Sequence, residues 1–257
     1  MTTSDTSAPA QAGGAPPGKP RRTRRPSLDK NAGRLVDRRI GGTKTWEGLQ
    51  SRYRDNESRA RGELAALRRG ASRSPGELPE IWELTRVEVP DGAGDAPTWE
   101  EIAVHTAMTL YAVHQQSRTE PMFSPGVGLG SAAHDLVGRD EENPSARARF
   151  NALVTSTTVA ELRHHLRGFV SLLRARGIAL DHAMLADDIV GFQRPGGAKK
   201  VRLNWARQYY SLPAESQPAD DAAPAGPAAP PPARAGQPAP DRPAAGAPSG
   251  PFPRGSR

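Results

Sequence analysis

The clearest hydrophobic pattern along the chain lies between residues 158 and 177. Its large apolar residues recur every three or four positions, which places them on one face of an α-helix. They are Leu162, Leu166, Phe169 and Leu173. Thr158 and Glu161 have the spacing of a capping box, and Gly177 is typical of a helix end. The pattern predicts a helix of about five turns with a buried stripe.

Similar start signals precede other apolar segments. Thr98 and Glu101 form a second capping box, Asn143-Pro144 is a common cap and first turn, and Asp181 can cap the helix that follows it. The helix after Thr98 has an apolar face, formed by Trp99, Ile102, Ala103, Leu110 and Val113. Residues 201–210 predict a final helix that buries Val201, Trp205 and Tyr209.

The first half of the chain carries weaker patterns. The pattern over residues 46–69 predicts one helix, which Gly62 could break. We also expect a short helix that begins at Pro79 and another from Ala132 to Val137. Apolar and polar residues do not alternate between hairpin turns anywhere in the sequence. We therefore expect an all-α fold, a compact multi-helix bundle.

Composition limits the folded region. The 257 residues include 26 glycines and 26 prolines, many of them near the two ends. Residues 213–257 are rich in Ala, Pro and Gly, and residues 1–43 are basic without apolar periodicity, so neither segment can form a core. We expect a disordered basic arm over residues 1–43, a helical domain over residues 44–212 and a disordered tail over residues 213–257.

The sequence offers little for catalysis. It contains no cysteine, no apolar run of membrane-spanning length and no secretory signal, so we expect a soluble cytoplasmic protein that has no membrane contact. Adjacent helical positions, such as those of His164 and His165, point about 100° apart and cannot share a metal ion. The glycines of residues 126–130 lack the strand of a dinucleotide loop. Asp187 and Asp188 are explained as solvated helix acids, and we expect no catalytic residue, metal or cofactor.

Charge is distributed unevenly. The net charge of +7 is the sum of +6 over residues 1–43, −6 over residues 44–146, +7 over residues 147–212 and zero over the rest. Arg163, Arg167 and Arg174 lie within about 40° on one helix face, beside the buried stripe, in a row that suits successive phosphates. Further basic residues could extend this row: Arg147, Arg149, Lys199, Lys200, Arg202 and Arg207. A solvated helix face explains any one arginine equally well, but the set as a whole favours nucleic-acid backbone contact without sequence preference.

Several motifs resemble the CasB family, the small subunit of the type I-E CRISPR Cascade complex. They occur in order over about residues 46–211: LAALRRG, PEIWEL, MTLYAVHQQS, PMFSPGVGLGSA, the long run from Glu161 to Gln193, and VRLNWARQYY. The resemblance implies an all-helical, non-catalytic subunit that occurs as a pair beside the backbone and large subunits. It implies contacts to guide RNA and target DNA that stabilise the R-loop and the displaced strand, and it adds Arg68 and Arg69 to the expected contacts.

Two other functions stay open on the sequence alone. The chain could be a free-standing nucleic-acid-binding regulator, which would purify without large partners and guide RNA. It could also be a metal-dependent hydrolase built on its six histidines, which would contain bound metal.

Overall fold

The fold is seen in a computed structural model that describes residues 32–138 and 143–210, all within one compact unit of residues 1–213. This part of the chain consists of helices and loops without a β-strand, which confirms the predicted all-α fold. The helices are α1 (Ala32–Gly41), α2 (Leu49–Arg54), α3 (Ser58–Gly70), α4 (Trp82–Thr85, after a 3-10 turn at Pro79–Ile81), α5 (Trp99–Gln115), α6 (Leu129–Val137), α7 (Pro144–Thr155), α8 (Val159–Arg176), α9 (His182–Gln193) and α10 (Gly197–Tyr210). The tail predicted over residues 213–257 lies outside the described residues.

Helix α5 forms the centre of the bundle. It packs against α1, α3, α4, α8 and α9, and every residue from Ala103 to Ala112 is buried. The sequence predicted one apolar face that included Trp99, but Trp99 is 43% exposed and the buried surface extends around the whole helix. Neighbours on several sides cover even the short polar residues, such as Thr106 and Thr109, whose hydroxyls donate to carbonyls of the preceding turn.

The helix caps predicted at Thr98, Asn143 and Thr158 are confirmed. Thr98 and Glu101 exchange both bonds of a capping box, and the Asn143 side chain accepts from the Ala146 N–H at 3.0 Å. Thr158 caps α8, but the Glu161 carboxylate accepts from the N–H of Thr157, at 2.7 Å, instead of from that of Thr158. Each cap satisfies an N–H that the helix itself leaves without a partner.

Helix α1 corrects the predicted domain boundary. Val36 and Ile40 are fully buried, and α1 packs on α9 and α5. The N–H of Gly33 donates to Asp187 Oδ1 at 2.8 Å, which ties the first turn of α1 to α9. The expectation of a disordered arm over residues 1–43 is therefore wrong for residues 32–41, and residues 1–31 lie outside the described part.

The helix predicted over residues 46–69 is two helices. It breaks at Asn56, whose φ of 64° is left-handed, and not at Gly62, which lies inside α3. Asparagine tolerates this backbone conformation better than most residues, because its short polar side chain can bond locally. The Asn56 amide oxygen accepts a hydrogen bond from Arg61.

Two glycines of the GVGLG segment allow close packing. A Cβ on Gly130 would lie 2.0 Å from the Trp205 carbonyl oxygen, and one on Gly128 would lie 2.4 Å from the Gln208 side chain. Helix α6 begins at Leu129, three residues before the predicted start. Because these glycines lack a side chain, its first turn can lie directly against α10. The glycines serve helix packing, as the loop interpretation allowed.

The three acids near α9 are not simply solvated, which corrects the sequence interpretation of this cluster. Asp181 is fully buried and accepts from the N–H groups of Ala183 and Gly126. Asp187 binds α1, and Asp188 accepts from Trp205 Nε1 at 2.7 Å. Each carboxylate joins α9 to another segment, and none of them points to a catalytic role.

Candidate nucleic-acid interface

The arginine row on α8 divides into exposed and anchored members. Arg167 is exposed. Arg163 is half-buried, and its Nη2 donates to the Arg73 carbonyl oxygen at 2.8 Å. Arg174 is half-buried as well and donates to Gln116 Oε1 at 2.8 Å. Burial lowers the pKa of Arg163, but an arginine stays protonated at neutral pH.

Helix α7 brings a second arginine to the exposed part of α8. Arg149 is exposed and lies over Gly168, where a Cβ would be 3.3 Å from its Nη1. Gly168 directly follows Arg167, so Arg149 lies one sequence position from Arg167 across the α7–α8 contact. Neither guanidinium has an acidic partner among residues 32–138 and 143–210.

The arginines at the end of α3 are less available. Arg69 is exposed but forms an ion pair with Glu80, and Arg68 is half-buried. The Arg163–Arg73 bond places this end of α3 beside the first turns of α8. The pair therefore extends the basic region, with part of its charge neutralised.

Helix α10 holds the remaining predicted residues. Lys199 and Lys200 are exposed in its first turn, and Arg207 is exposed near its end. Arg202 is half-buried: it donates to the Ser156 carbonyl oxygen, and its guanidinium lies 5.7 Å from the Phe192 ring centroid. Arg202 thus fixes α10 to the connection between α7 and α8.

Arg147 turns away from α8. Its Nη1 donates to the Tyr209 hydroxyl at 2.8 Å, and its guanidinium lies 5.2 Å from the Tyr209 ring centroid. Helix α7 therefore contacts α8 through Arg149 and α10 through Arg147. The predicted residues do not form one straight row, but those on α7, α8 and α10 lie on helices in direct contact or joined by a hydrogen bond.

Sequence reasoning missed the exposed apolar residues beside these cations. Leu203 is 50% exposed and Tyr210 is 69% exposed. Their spacing could have revealed them, because residues seven apart share a helix face. In α10 that face lies opposite the predicted buried stripe. It also missed Arg118, whose Nη2 approaches Gly177 near Arg174.

The histidines form no metal site within the described ranges. His164 and His165 are neighbours with ring planes 74° apart. His114 Nδ1 and His182 Nε2 lie 3.4 Å apart in the core, and burial lowers the pKa of His114 to about 3. This pair packs against Tyr111 and Phe123 and is part of the core. No described helix is long and apolar enough to cross a bilayer.

Comparisons with known proteins agree on one family. The family model "CRISPR-associated protein Cse2" matches residues 63–210, more than half of the chain. CasB from Thermobifida fusca is 34% identical, with 72% of this chain and 100% of that chain covered and a TM-score of 0.59. A Cse2-family CRISPR-associated protein from Thermus thermophilus is 25% identical, with 71% and 99% covered and a TM-score of 0.49. Among curated proteins, none matches significantly. The helical core and its sequence motifs therefore place this chain in the Cse2, or CasB, family of CRISPR-associated proteins.

Proposed function

We propose that this protein is the non-catalytic small subunit of a type I-E Cascade complex. It binds the sugar-phosphate backbone of guide RNA and target DNA without sequence preference. In this way it stabilises the R-loop and the displaced strand. Its partners are the backbone and large subunits, guide RNA, target DNA and a second copy of itself.

The exposed cations of α7, α8 and α10 carry the proposal. Arg149, Arg167, Lys199 and Lys200 project into solvent and have no acidic partner among the described residues. Charges without a partner can attract phosphates without first breaking an ion pair. Arg163, Arg174 and Arg202 donate to neutral oxygens, so they keep their positive charge at the edges of this surface.

The energetics of strand exchange suit such a surface. An RNA–DNA heteroduplex is about as stable as the DNA duplex that it replaces, so modest backbone contacts to the displaced strand can decide the outcome. Phosphate contacts supply affinity without reading sequence. This task requires positive charge on a rigid support and no reacting group, which agrees with a core in which His114 and His182 pack together and Asp181 caps α9.

The first prediction concerns the two exposed arginines beside the α7–α8 contact, Arg149 and Arg167. Arg149→Glu combined with Arg167→Glu should weaken single-strand binding at least tenfold at low salt, because attraction is replaced by repulsion. The slope of log affinity against log salt should fall by about 1.4, since each lost single-strand contact contributes roughly 0.7. Fluorescence anisotropy of a labelled oligonucleotide at several salt concentrations measures both quantities.

Arg34→Glu combined with Arg38→Glu is the matched control, because it changes the net charge equally at exposed positions of α1 that have no acidic partner among the described residues. Equal effects of the two double variants would contradict a localised surface. In the assembled complex, the Arg149/Arg167 variant should open linear target DNA poorly. Negative supercoiling should partly restore opening, because torsional stress helps separate the strands.

A further inference from the structure

A groove of about 370 Å³ lies between α7 and α10, and the backbone contacts proposed above do not use it. Leu203 and Tyr210 of α10 line it, and both are at least half exposed. Residues seven apart share a helix face, so these two exposed apolar side chains lie on the same side of α10.

The groove holds an ordered group of aromatic rings. The rings of Phe150 and Tyr209 are stacked, with centroids 5.3 Å apart and planes 14° apart. Tyr210 meets Tyr209 edge to face at 4.9 Å. Phe150 and Tyr209 are buried and fixed by these contacts, whereas Tyr210 presents most of its ring to solvent. An exposed ring on a fixed aromatic base is a suitable stacking platform.

Two guanidinium groups give the groove its charge. Arg147 and Arg202 both line it, and each donates a hydrogen bond across the groove: Arg147 of α7 to Tyr209 of α10, and Arg202 of α10 to Ser156 at the end of α7. Lys199 and Lys200 begin the same helix, α10. The described lining contains no carboxylate. An occupant should therefore combine a flat apolar group with negative charge.

We propose that this groove binds an unpaired nucleobase of a single strand, which stacks on Tyr210 and Leu203 while Arg147 and Arg202 attract the flanking phosphates. The inference rests on the proposed function and assigns a base-binding subsite to it. Single-strand binding proteins combine positive grooves with aromatic platforms, and stacking tolerates any base because every base has a π-face. The subsite adds affinity without adding sequence preference.

The position of the groove agrees with this occupant. Residues 147 and 149 point about 200° apart around α7. Arg149 therefore lies at the surface proposed to bind the nucleic-acid backbone, and Arg147 lies at the groove. A strand held at Arg149 and Arg167 can continue across α7 and reach the groove. A volume of about 370 Å³ is at the small-ligand end of the range for binding sites and suits one nucleotide better than a partner helix.

Two probes of equal charge test the inference on the full chain: a 15-mer of deoxythymidine and an abasic 15-mer with the same backbone. We expect the wild-type protein to bind the thymidine strand more tightly. Tyr210→Ala should weaken that binding roughly fivefold or more and leave abasic binding unchanged, since stacking contributes of order 1–3 kcal/mol per base. Tyr210→Phe should keep wild-type affinity. Trp82→Ala, which removes another exposed aromatic on α4, should change neither probe.

Each other outcome has a defined meaning. Equal wild-type affinity for both probes would overturn the base subsite and leave the proposed function intact. Binding of neither probe would overturn both. If Tyr210→Ala weakened both probes equally, or abolished co-purification with partner subunits at an unchanged melting temperature, the groove would be a phosphate or protein contact instead. Photocrosslinking of 4-thiothymidine to the peptide containing Tyr210 would independently support the subsite.

Discussion

Asp188 shows how a residue that looks solvated in the sequence becomes part of the packing. Its carboxylate lies against α10 and accepts from Trp205 Nε1. Burial is the main cause that raises its pKa to about 7, and the neighbouring carboxylates of Asp187 and Asp181 raise it further. Hydrogen bonds from Trp205 and Asn204 act in the opposite direction. The folded protein therefore favours the protonated form of this acid.

A prediction for Asp188 follows from that preference. The pKa of Asp188 in the folded protein lies above the ordinary aspartate pKa of 3.8, so the stabilisation is fully present below pH 3.8 and is lost as pH rises towards 7. Asp188→Asn keeps an oxygen acceptor for Trp205 and removes the titration. The free energy of unfolding of the variant, relative to wild type, should increase between pH 4 and 7 and then level off. Urea unfolding at several pH values measures this difference, and a constant difference would contradict the assignment.

At the scale of elements, the arginines of α8 have different roles although they share a helix face. Arg163 joins α8 to the loop after α3, across 90 positions of sequence, and Arg174 joins its other end to Gln116. Arg167, between them, has no such contact among the described residues. Replacing all three together would therefore test structure and binding at once.

Single substitutions separate these roles. Arg163→Ala should lower the free energy of unfolding by about 1 kcal/mol, because a charged donor to a backbone carbonyl is lost. Arg167→Ala should change stability by less than about 0.5 kcal/mol, as expected of an exposed position. Thermal unfolding of both variants measures the contrast. Equal melting temperatures would show that the Arg163 contact does not hold α8 in place.

The elements that sequence reasoning found are those with local signals. Thr98, Asn143 and Asp181 cap helices within three residues, so spacing alone identified them. The full burial of α5 depends on helices distant in sequence, and no local pattern could reveal it. Helix α1 was missed because its two large core residues, Val36 and Ile40, lie among Arg34, Arg38 and Arg39 and resemble part of a basic arm.

For the whole molecule, the folded unit includes helix α1, which the sequence had assigned to the arm. Val36 and Ile40 cover α9 and α5, and Gly33 is bonded to Asp187. The candidate site shows the same limit of sequence reasoning. The uneven charge along the sequence indicated which helices carry the site. The contacts of Arg149 with Gly168 and of Arg147 with Tyr209 arise from tertiary packing, which the sequence does not show.

Two fragments test this boundary. A fragment of residues 44–213 should be less stable than one of residues 32–213 by roughly 3–6 kcal/mol, since each large buried aliphatic side chain contributes about 1.5–3 kcal/mol. The longer fragment should unfold at the same urea concentration as the full chain. Circular dichroism during urea unfolding measures both comparisons. Identical midpoints for the two fragments would show that α1 is dispensable.

The contact between α6 and α10 has a consequence for binding. No side chain separates the helices at Gly130, because a Cβ there would lie 2.0 Å from the Trp205 carbonyl oxygen. Side chains packed between two helices can change rotamer and so allow small shifts of the helices. A direct backbone contact has no side chain that could adjust in this way. The face of α10 that carries Leu203 and Tyr210 is therefore preorganised. If a strand binds there as proposed, it gives up its own conformational entropy while the protein gives up little, and this lowers the free-energy cost of association.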